Sequence, residues 1–374
     1  MISGFLLERV ACPVCLEGMG CAACSRAGGG HSACAQYPPR AHCACGGPDK
    51  VRLETASGAL RCPCCGVSYP LRPEEGYVDL VPRTSVGEVT QYADHEFHER
   101  LHVTEAPPVL SARVKADMML RMLAPEPGEA VLDLGCGAGK LALFAGREGV
   151  RAAGLDVAPF FLPRVSADVD LVLGDLRRLP FRKGAFPRAY SLDVLEHLDE
   201  DGVREVLVEA RRTVGAQGRL FVYTHAMESS GLARFQRWVN RLAKRLGRAG
   251  LLDHEREAMR KSDHKNAIRS HEHFDEMAAA AGLFVAERRY YNVVVKAVVE
   301  DLVLRLYEQA RRRGQAGPPA AGSAAPQQVG SPAPGREMMA VAMALTWLLK
   351  LDVVLFGGIR TGPFFGLLRP RRPA

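Results

Sequence analysis

Three glycines and a set of aspartates are the residues whose spacing first points to chemistry. In "VLDLGCGAGKLALFAG" (131–146), an apolar run is followed by Gly135, Gly137 and Gly139, a G-x-G-x-G pattern. A dinucleotide turn places its third glycine one residue later, and a phosphate loop ends in G-K-[ST], whereas here Lys140 is followed by Leu141. Neither phosphate-binding pattern fits. Asp156 and Val157 close the next apolar run, twenty-one residues beyond Gly135 for the carboxylate. A carboxylate there can accept both hydroxyls of a ribose. Asp175 and Leu176 follow the third run, where an acid can accept from an adenine amino group. Asp133 lies inside the first run, positioned to orient the loop and attract a cation. Nothing here supplies the lysine or hydroxyl that holds a polyphosphate and its magnesium. The set suits an adenosine that carries a positive charge and no phosphate.

With these residues in order, the chain resembles class I S-adenosylmethionine (SAM) methyltransferases. "VLDLGCGAGKLALFA" resembles their first motif, "GLDVAP" the second, "GDLRRLPF" the third and "AYSLDVLEHL" the fourth. "EARRTVGAQGRLFVYTH" is similar to the step into the fifth strand. The resemblance covers about 120–291 and is nearest to the branch of quinone-biosynthesis and other small-molecule enzymes. Pro187 in place of an aspartate, and Ala216-Gln217-Gly218 in place of proline-glycine-glycine, depart from the family pattern at scaffold positions. The resemblance implies a Rossmann-like α/β fold, a mostly parallel seven-stranded sheet with helices on both faces. It also implies SAM as cofactor, with Asp193 beside its methionine end. SAM is already an activated electrophile, so the protein has mainly to align an acceptor. An oxygen acceptor also needs a base. His197, after the fourth strand, and His225, ending the fifth, are the candidates. His264, His271 and His273 are weaker ones.

Eleven cysteines would suggest disulfides, but ten lie within Cys12–Cys65 and the N-terminal apolar stretch contains Glu8 and Arg9, unlike a secretion signal. Clustered thiols outside a secreted protein read as metal ligands. "CPVC" (Cys12, Cys15) and "CPCC" (Cys62, Cys65) form two C-x-x-C pairs, the donor set of a structural zinc site. The 46 residues between them make the ribbon carry an insertion, in which Cys21, Cys24, Cys43 and Cys45 are candidates for a second zinc. The "CPCCGVSYPLRPEEGYVDLVP" stretch resembles zinc-ribbon heads of some methyltransferases and the small zinc-ribbon proteins that activate others.

The chain that holds these residues divides by composition. Residues 1–84 form a Cys-rich, zinc-ribbon-like head, and 85–126 a linker and helix. Residues 127–291 form the SAM-binding core, alternating short apolar runs with amphipathic segments as βαβ units do. Residues 292–374 are apolar helices around a Pro/Ala/Gly-rich linker at 314–335, which is expected to be disordered. A final strand is expected near 364–369, pairing with 283–290, so the helices are inserted within a hairpin.

Within 226–270, "GLARFQRWVNRLAKRLGRAGLLD" is a basic amphipathic helix. A lid over the acceptor, an interfacial membrane helix and an RNA-facing arm are the competing readings. The formal charge of +7 is too mild to argue for nucleic acid by itself. The longest uncharged apolar run, Met338 to Leu349, has twelve residues, short of the ~18 a bilayer span requires. The expected protein is cytoplasmic, with contact to a membrane surface as an option. Its expected activity is methyl transfer to a small or lipid-like molecule. An RNA methyltransferase and a SAM-binding regulatory module are the alternatives, RNA being the less favoured partner because no aromatic-basic stacking surface is evident.

Overall fold

The computed structural model describes residues 3–16, 53–56, 58–63, 66–72, 74–81, 107–229, 232–249, 264–291, 294–299 and 336–371. The 314–335 linker, Cys65 and the four insertion cysteines lie outside them, as does the side chain of Cys15.

The buried strands of the centre are near-continuous apolar runs, as expected when both faces of a sheet are covered. They are β5 (Ala130–Leu134), β6 (Arg151–Asp156), β7 (Asp170–Leu173), β8 (Arg188–Leu192) and β9 (Arg219–His225). A hairpin of β10 (Leu283–Tyr290) and β11 (Pro363–Pro370) closes that edge. The order β7-β6-β5-β8-β9-β11-β10 has parallel pairing as far as β9 and antiparallel pairing beyond it. Residues 291–362 are thus inserted between the two hairpin strands. They include the helix Arg336–Phe356 and, among the described residues, one further short helix, Val295–Val298.

The sheet does not stop at seven strands. The head contributes β1 (Glu54–Ala56), β2 (Ala59–Arg61), β3 (Ser68–Arg72) and β4 (Tyr77–Asp79), and β4 pairs in parallel with β7. Among the described residues eleven strands run edge to edge, and "mostly parallel" describes only the centre. The head is stitched on by side chains as well. The Ser3 hydroxyl donates to Asp170 at 2.7 Å, Phe5 meets Phe186 edge-on, and Val10 bridges Phe181. Head and centre share one hydrophobic cluster, which includes Leu6, Leu60, Leu80, Leu155 and Phe186.

Helices cover both faces. Among the described residues, those of eight residues or more are, in chain order, α1 (Leu110–Leu123), α2 (Lys140–Arg147), α3 (Glu200–Val214), α4 (Ala233–Arg248), α5 (His271–Ala280) and α6 (Arg336–Phe356). In α3 the local chemistry agrees with the packing. The Asp199 carboxylate caps Gly202 N–H at 2.7 Å, Glu200 and Asp201 occupy the first turn, and Arg211 and Arg212 the last. Val203, Val206, Leu207, Ala210 and Val214 fall on the buried face. After α3, a Cβ on Gly218 would stand 2.3 Å from the Val214 carbonyl oxygen, so the turn keeps its glycine although its other two residues have changed. The carboxyl end of α1 is tied to the sheet by Arg188 and Arg219, which both donate to the Leu123 carbonyl, at 3.2 and 3.0 Å.

The inserted helix α6 packs against α1. Leu110 N–H donates to the Thr346 hydroxyl, the Lys350 ammonium meets Asp117 at 2.7 Å, and the buried Asp352 accepts from Val294 and Val295 N–H. These inward polar groups change the estimate made from the uncharged run alone. Met339–Phe356 is long and apolar enough, by length and composition, to cross a membrane, because Lys350 and Asp352 interrupt it without making it polar overall. Its outer face carries Val341, Met343, Trp347, Leu351, Val354 and Leu355, all exposed.

Candidate functional site

The glycine loop leaves β5 at the carboxyl edge, where open α/β sheets receive ligands. Gly135, Gly137 and Gly139 have φ of 79°, 52° and 81°, in the region that favours glycine. A Cβ on Gly135 would lie 2.5 Å from Val194, and one on Gly139 2.5 Å from Val165. A Cβ on Gly137 would meet nothing within 4 Å. Two glycines are thus required by the protein's own packing, and the third faces open space.

Asp156 ends β6 beneath this loop. Its carboxylate accepts from Gly137 N–H at 2.7 Å and from Ala158 N–H at 3.0 Å, fixing both the loop and its own orientation. Val157 beside it is 41% exposed, an apolar side chain at the crevice edge. Asp175 and Leu176 follow β7. Asp175 accepts from Arg177 N–H at 2.8 Å and from the Arg177 guanidinium at 3.1 Å, so its carboxylate is already engaged by a cap and an ion pair. Leu176 packs inward against the core.

Asp133 lies within β5. It is buried and accepts from the Tyr190 hydroxyl at 2.9 Å. Burial, reinforced by the charge of Asp156, pushes its carboxyl up to about 8 despite that hydrogen bond.

The ends of β8 and β9 build a second cluster. Asp193 stands at φ 56°, and its carboxylate pairs with the Lys115 ammonium of α1 at 2.5 Å. Lys115 also lies over the Tyr223 ring, 4.2 Å from its centroid. His197 ends a 3₁₀ turn (Leu195–His197), and its ring meets that of His264 edge-on at 4.7 Å. His225 lies 3.5 Å from Glu196 and 3.4 Å from the Tyr223 hydroxyl. Burial lowers its imidazole to about 3.

Residue type marks His197 and His225 in the sequence, whereas Glu196 and Lys115 join the cluster only in the fold. Glu196 is 2% exposed and accepts from the Thr224 hydroxyl at 3.0 Å. Burial and the neighbouring Asp193 charge push it up to about 8. The one signal for it was its place in "LEHL", between an apolar residue and a histidine. His271 and His273 serve the scaffold: the His271 ring contacts the Thr361 carbonyl, and His273 contacts Arg269 and Glu200.

In the head, Cys12 and Cys62 are both buried in the shared cluster, and the Cys12 sulfur is 3.3 Å from the Tyr69 hydroxyl. A cavity lined by Phe5, Leu143, Arg147, Arg151 and Asp170 lies at the opposite ends of β6 and β7 and contains none of the crevice residues.

Residues 131–218 match the methyltransferase domain family. Among curated proteins, the chain is 33% identical over 120 residues to an uncharacterized 37.1 kDa transposon protein of Streptomyces fradiae. That match covers 29% of this chain and 34% of the relative. It is 29% identical over 102 residues to an uncharacterized methyltransferase of Synechocystis, covering 26% of this chain and 48% of that protein. The chain therefore spans between a third and a half of the curated relatives it matches. Among solved structures, it is similar to Haemonchus contortus phosphoethanolamine N-methyltransferase 2 bound to SAM. That likeness has 16% identity and a TM-score of 0.44, over 78% of this chain and 61% of that one. It is also similar to the geranyl diphosphate C-methyltransferase of Streptomyces coelicolor, with 14% identity and a TM-score of 0.38, over 78% and 88%. Both scores lie below 0.5, and the likenesses are loose. The segment that matches the methyltransferase domain family holds β5 to β8 with the glycine loop, Asp156, Asp175, Asp193 and Glu196.

Proposed function

We propose that the chain transfers the methyl group of SAM to a small-molecule or lipid-like acceptor. The open space over Gly137, bordered by the Asp156 carboxylate, is the observation that carries this reading. In it the adenosine lies across the glycine loop, with Asp156 accepting from the ribose hydroxyls, as an oriented carboxylate can. Val157 and Leu176 flank the adenine, and Asp175 accepts from its amino group once Arg177 shifts. The methionine end faces Asp133 and Asp193. The acceptor then sits by Asp193, His197 and His225, with Lys115 setting the local charge. Catalysis on this account is mostly alignment of an acceptor lone pair with the methyl carbon.

A lipid-like acceptor is favoured by one further feature. The helix α6 carries an exposed apolar face, and both α6 and α4 touch the short helix Val295–Val298. In α4, Arg234, Arg237, Arg241, Lys244 and Arg245 are exposed while Val239 and Ala243 are buried. An exposed basic helix face together with an exposed apolar one suits the surface of an anionic membrane. Zinc at Cys12, Cys15, Cys62 and Cys65 belongs to the same reading as a structural ion that fastens the head. The burial of Cys12 and Cys62 in one cluster is consistent with it.

The test is to incubate the protein with methyl-labelled SAM and a cell extract, then separate lipid, small-molecule, RNA and protein fractions. Label in the lipid or small-molecule fraction is the expected result. Label confined to RNA or protein would overturn the acceptor assignment.

A further inference from the structure

We propose that Glu196, His197 and His264 form a binding site for one divalent first-row metal cation, Zn²⁺ or Mn²⁺, on the acceptor side of the crevice. The three side chains each offer a ligand atom, and these atoms lie within 4.8 Å of one another. Ligands ~2.1 Å from a shared tetrahedral ion stand roughly 3.4 Å apart. Closing the set around an ion therefore needs side-chain movement on the order of an ångström.

The backbone holds the site in place. Glu196 and His197 share the turn after β8, and the N–H groups of Lys265 and Asn266 donate to the Glu196 carbonyl at 2.9 and 3.4 Å. The peptide unit of one ligand thus clamps the segment that carries another. Asn266, at φ 53°, turns the chain directly after this clamp. The Thr224 hydroxyl fixes one Glu196 carboxylate oxygen, the kind of outer hydrogen bond that orients metal ligands.

A second set, Asp193, Glu196 and His225, is equally close. There the Lys115 ammonium is already paired with Asp193, and a fixed positive charge opposes a dication. This contrast selects the set with two histidines. Two imidazoles and one carboxylate favour divalent first-row metal cations over Mg²⁺ or Ca²⁺, and three protein ligands leave a position open.

What the ion does rests on the methyl-transfer reading; that it binds does not. An acceptor hydroxyl in the open position is acidified by the cation. It releases its proton to solvent, its oxygen lone pair forms the bond to the methyl carbon, and the carbon–sulfur bond breaks. The sulfonium then departs as a neutral thioether. The inferred acceptor class is a hydroxylated molecule.

The experiment titrates full-length protein with Mn²⁺ and follows the loss of the free-ion electron paramagnetic resonance signal. Mn²⁺ prefers oxygen and nitrogen donors to thiolates, so the cysteine head contributes little. Saturation at a single Mn²⁺ per chain, displaced by Zn²⁺, is expected. His197→Ala and the volume-conserving His264→Gln should each weaken Mn²⁺ binding at least about tenfold. The circular dichroism spectrum and S-adenosylhomocysteine affinity should stay unchanged. A wild type that takes up no Mn²⁺, or variants that bind it as the wild type does, would overturn the site. Homocysteine-form binding measured on the same samples reports separately on the SAM crevice.

Discussion

Alanine at Gly137 should separate the two jobs of the glycine loop. In this conformation an alanine costs ~1–2 kcal/mol from backbone sterics alone. At Gly135 and Gly139 a Cβ would also press to 2.5 Å on Val194 and Val165, adding ~1–3 kcal/mol of overpacking. Gly135→Ala and Gly139→Ala should therefore lose ~2–5 kcal/mol of stability. Gly137→Ala, whose Cβ meets nothing within 4 Å, should lose only the backbone share. If the open space is where the cofactor lies, the same methyl group must push against it. A clash of ~1–3 kcal/mol weakens S-adenosylhomocysteine roughly 5- to 150-fold. Urea denaturation and calorimetric titration on one preparation read both numbers. The expected signature is the mildest stability loss of the three variants with a large affinity loss. A Gly137→Ala protein that binds as tightly as the wild type would refute the placement of the cofactor over this loop.

Stability should depend on pH through Asp133 and Glu196. Both are acids whose folded pKa, about 8, lies above the ordinary 3.8 and 4.5, so the folded chain keeps its protons longer than the unfolded one. Their contribution is fully present below the ordinary values and is lost as pH rises through about 8, by an amount on the order of a few kcal/mol. Urea midpoints across that range should fall, and Asp133→Asn should flatten the fall; an unchanged slope in that variant would contradict the assignment. For the lipid-facing surface, sedimentation with anionic vesicles should be salt-sensitive and should drop on substituting Trp347→Glu and Val354→Glu, residues 67% and 71% exposed. Equal sedimentation of the wild type with neutral vesicles at high salt would count against an electrostatic contribution from α4.

The central strands were legible because a parallel sheet covered on both faces forces short apolar runs, and the first four of these runs end at a glycine or an acid. The last strand was legible too, since "PFFGLLRP" is an apolar run separated from the helices before it by glycines. The cluster beside β8 was only half legible. His197 and His225 announce themselves by residue type, but Lys115 lies 78 residues before the Asp193 it pairs with, on a helix whose sequence reads as ordinary amphipathic packing. Glu196 looks like a surface acid in the sequence, and the Thr224 hydroxyl and the sheet edge bury it. The head reads as a separate metal module from its cysteines. Its joining to the sheet through β4 depends on backbone pairing with β7, which no local pattern encodes. In α6, Lys350 and Asp352 appear to cut an apolar run, yet both face partners within the fold.

The central claim is that the crevice above Gly137 and Asp156 receives a sulfonium-bearing adenosine. Isothermal titration of the full-length protein with S-adenosylhomocysteine, set beside ATP and NAD, tests it most directly. Binding of S-adenosylhomocysteine alone, at one molecule per chain and weakened at least about tenfold by Asp156→Ala, is the predicted result. Heat from ATP or NAD with none from S-adenosylhomocysteine would contradict it.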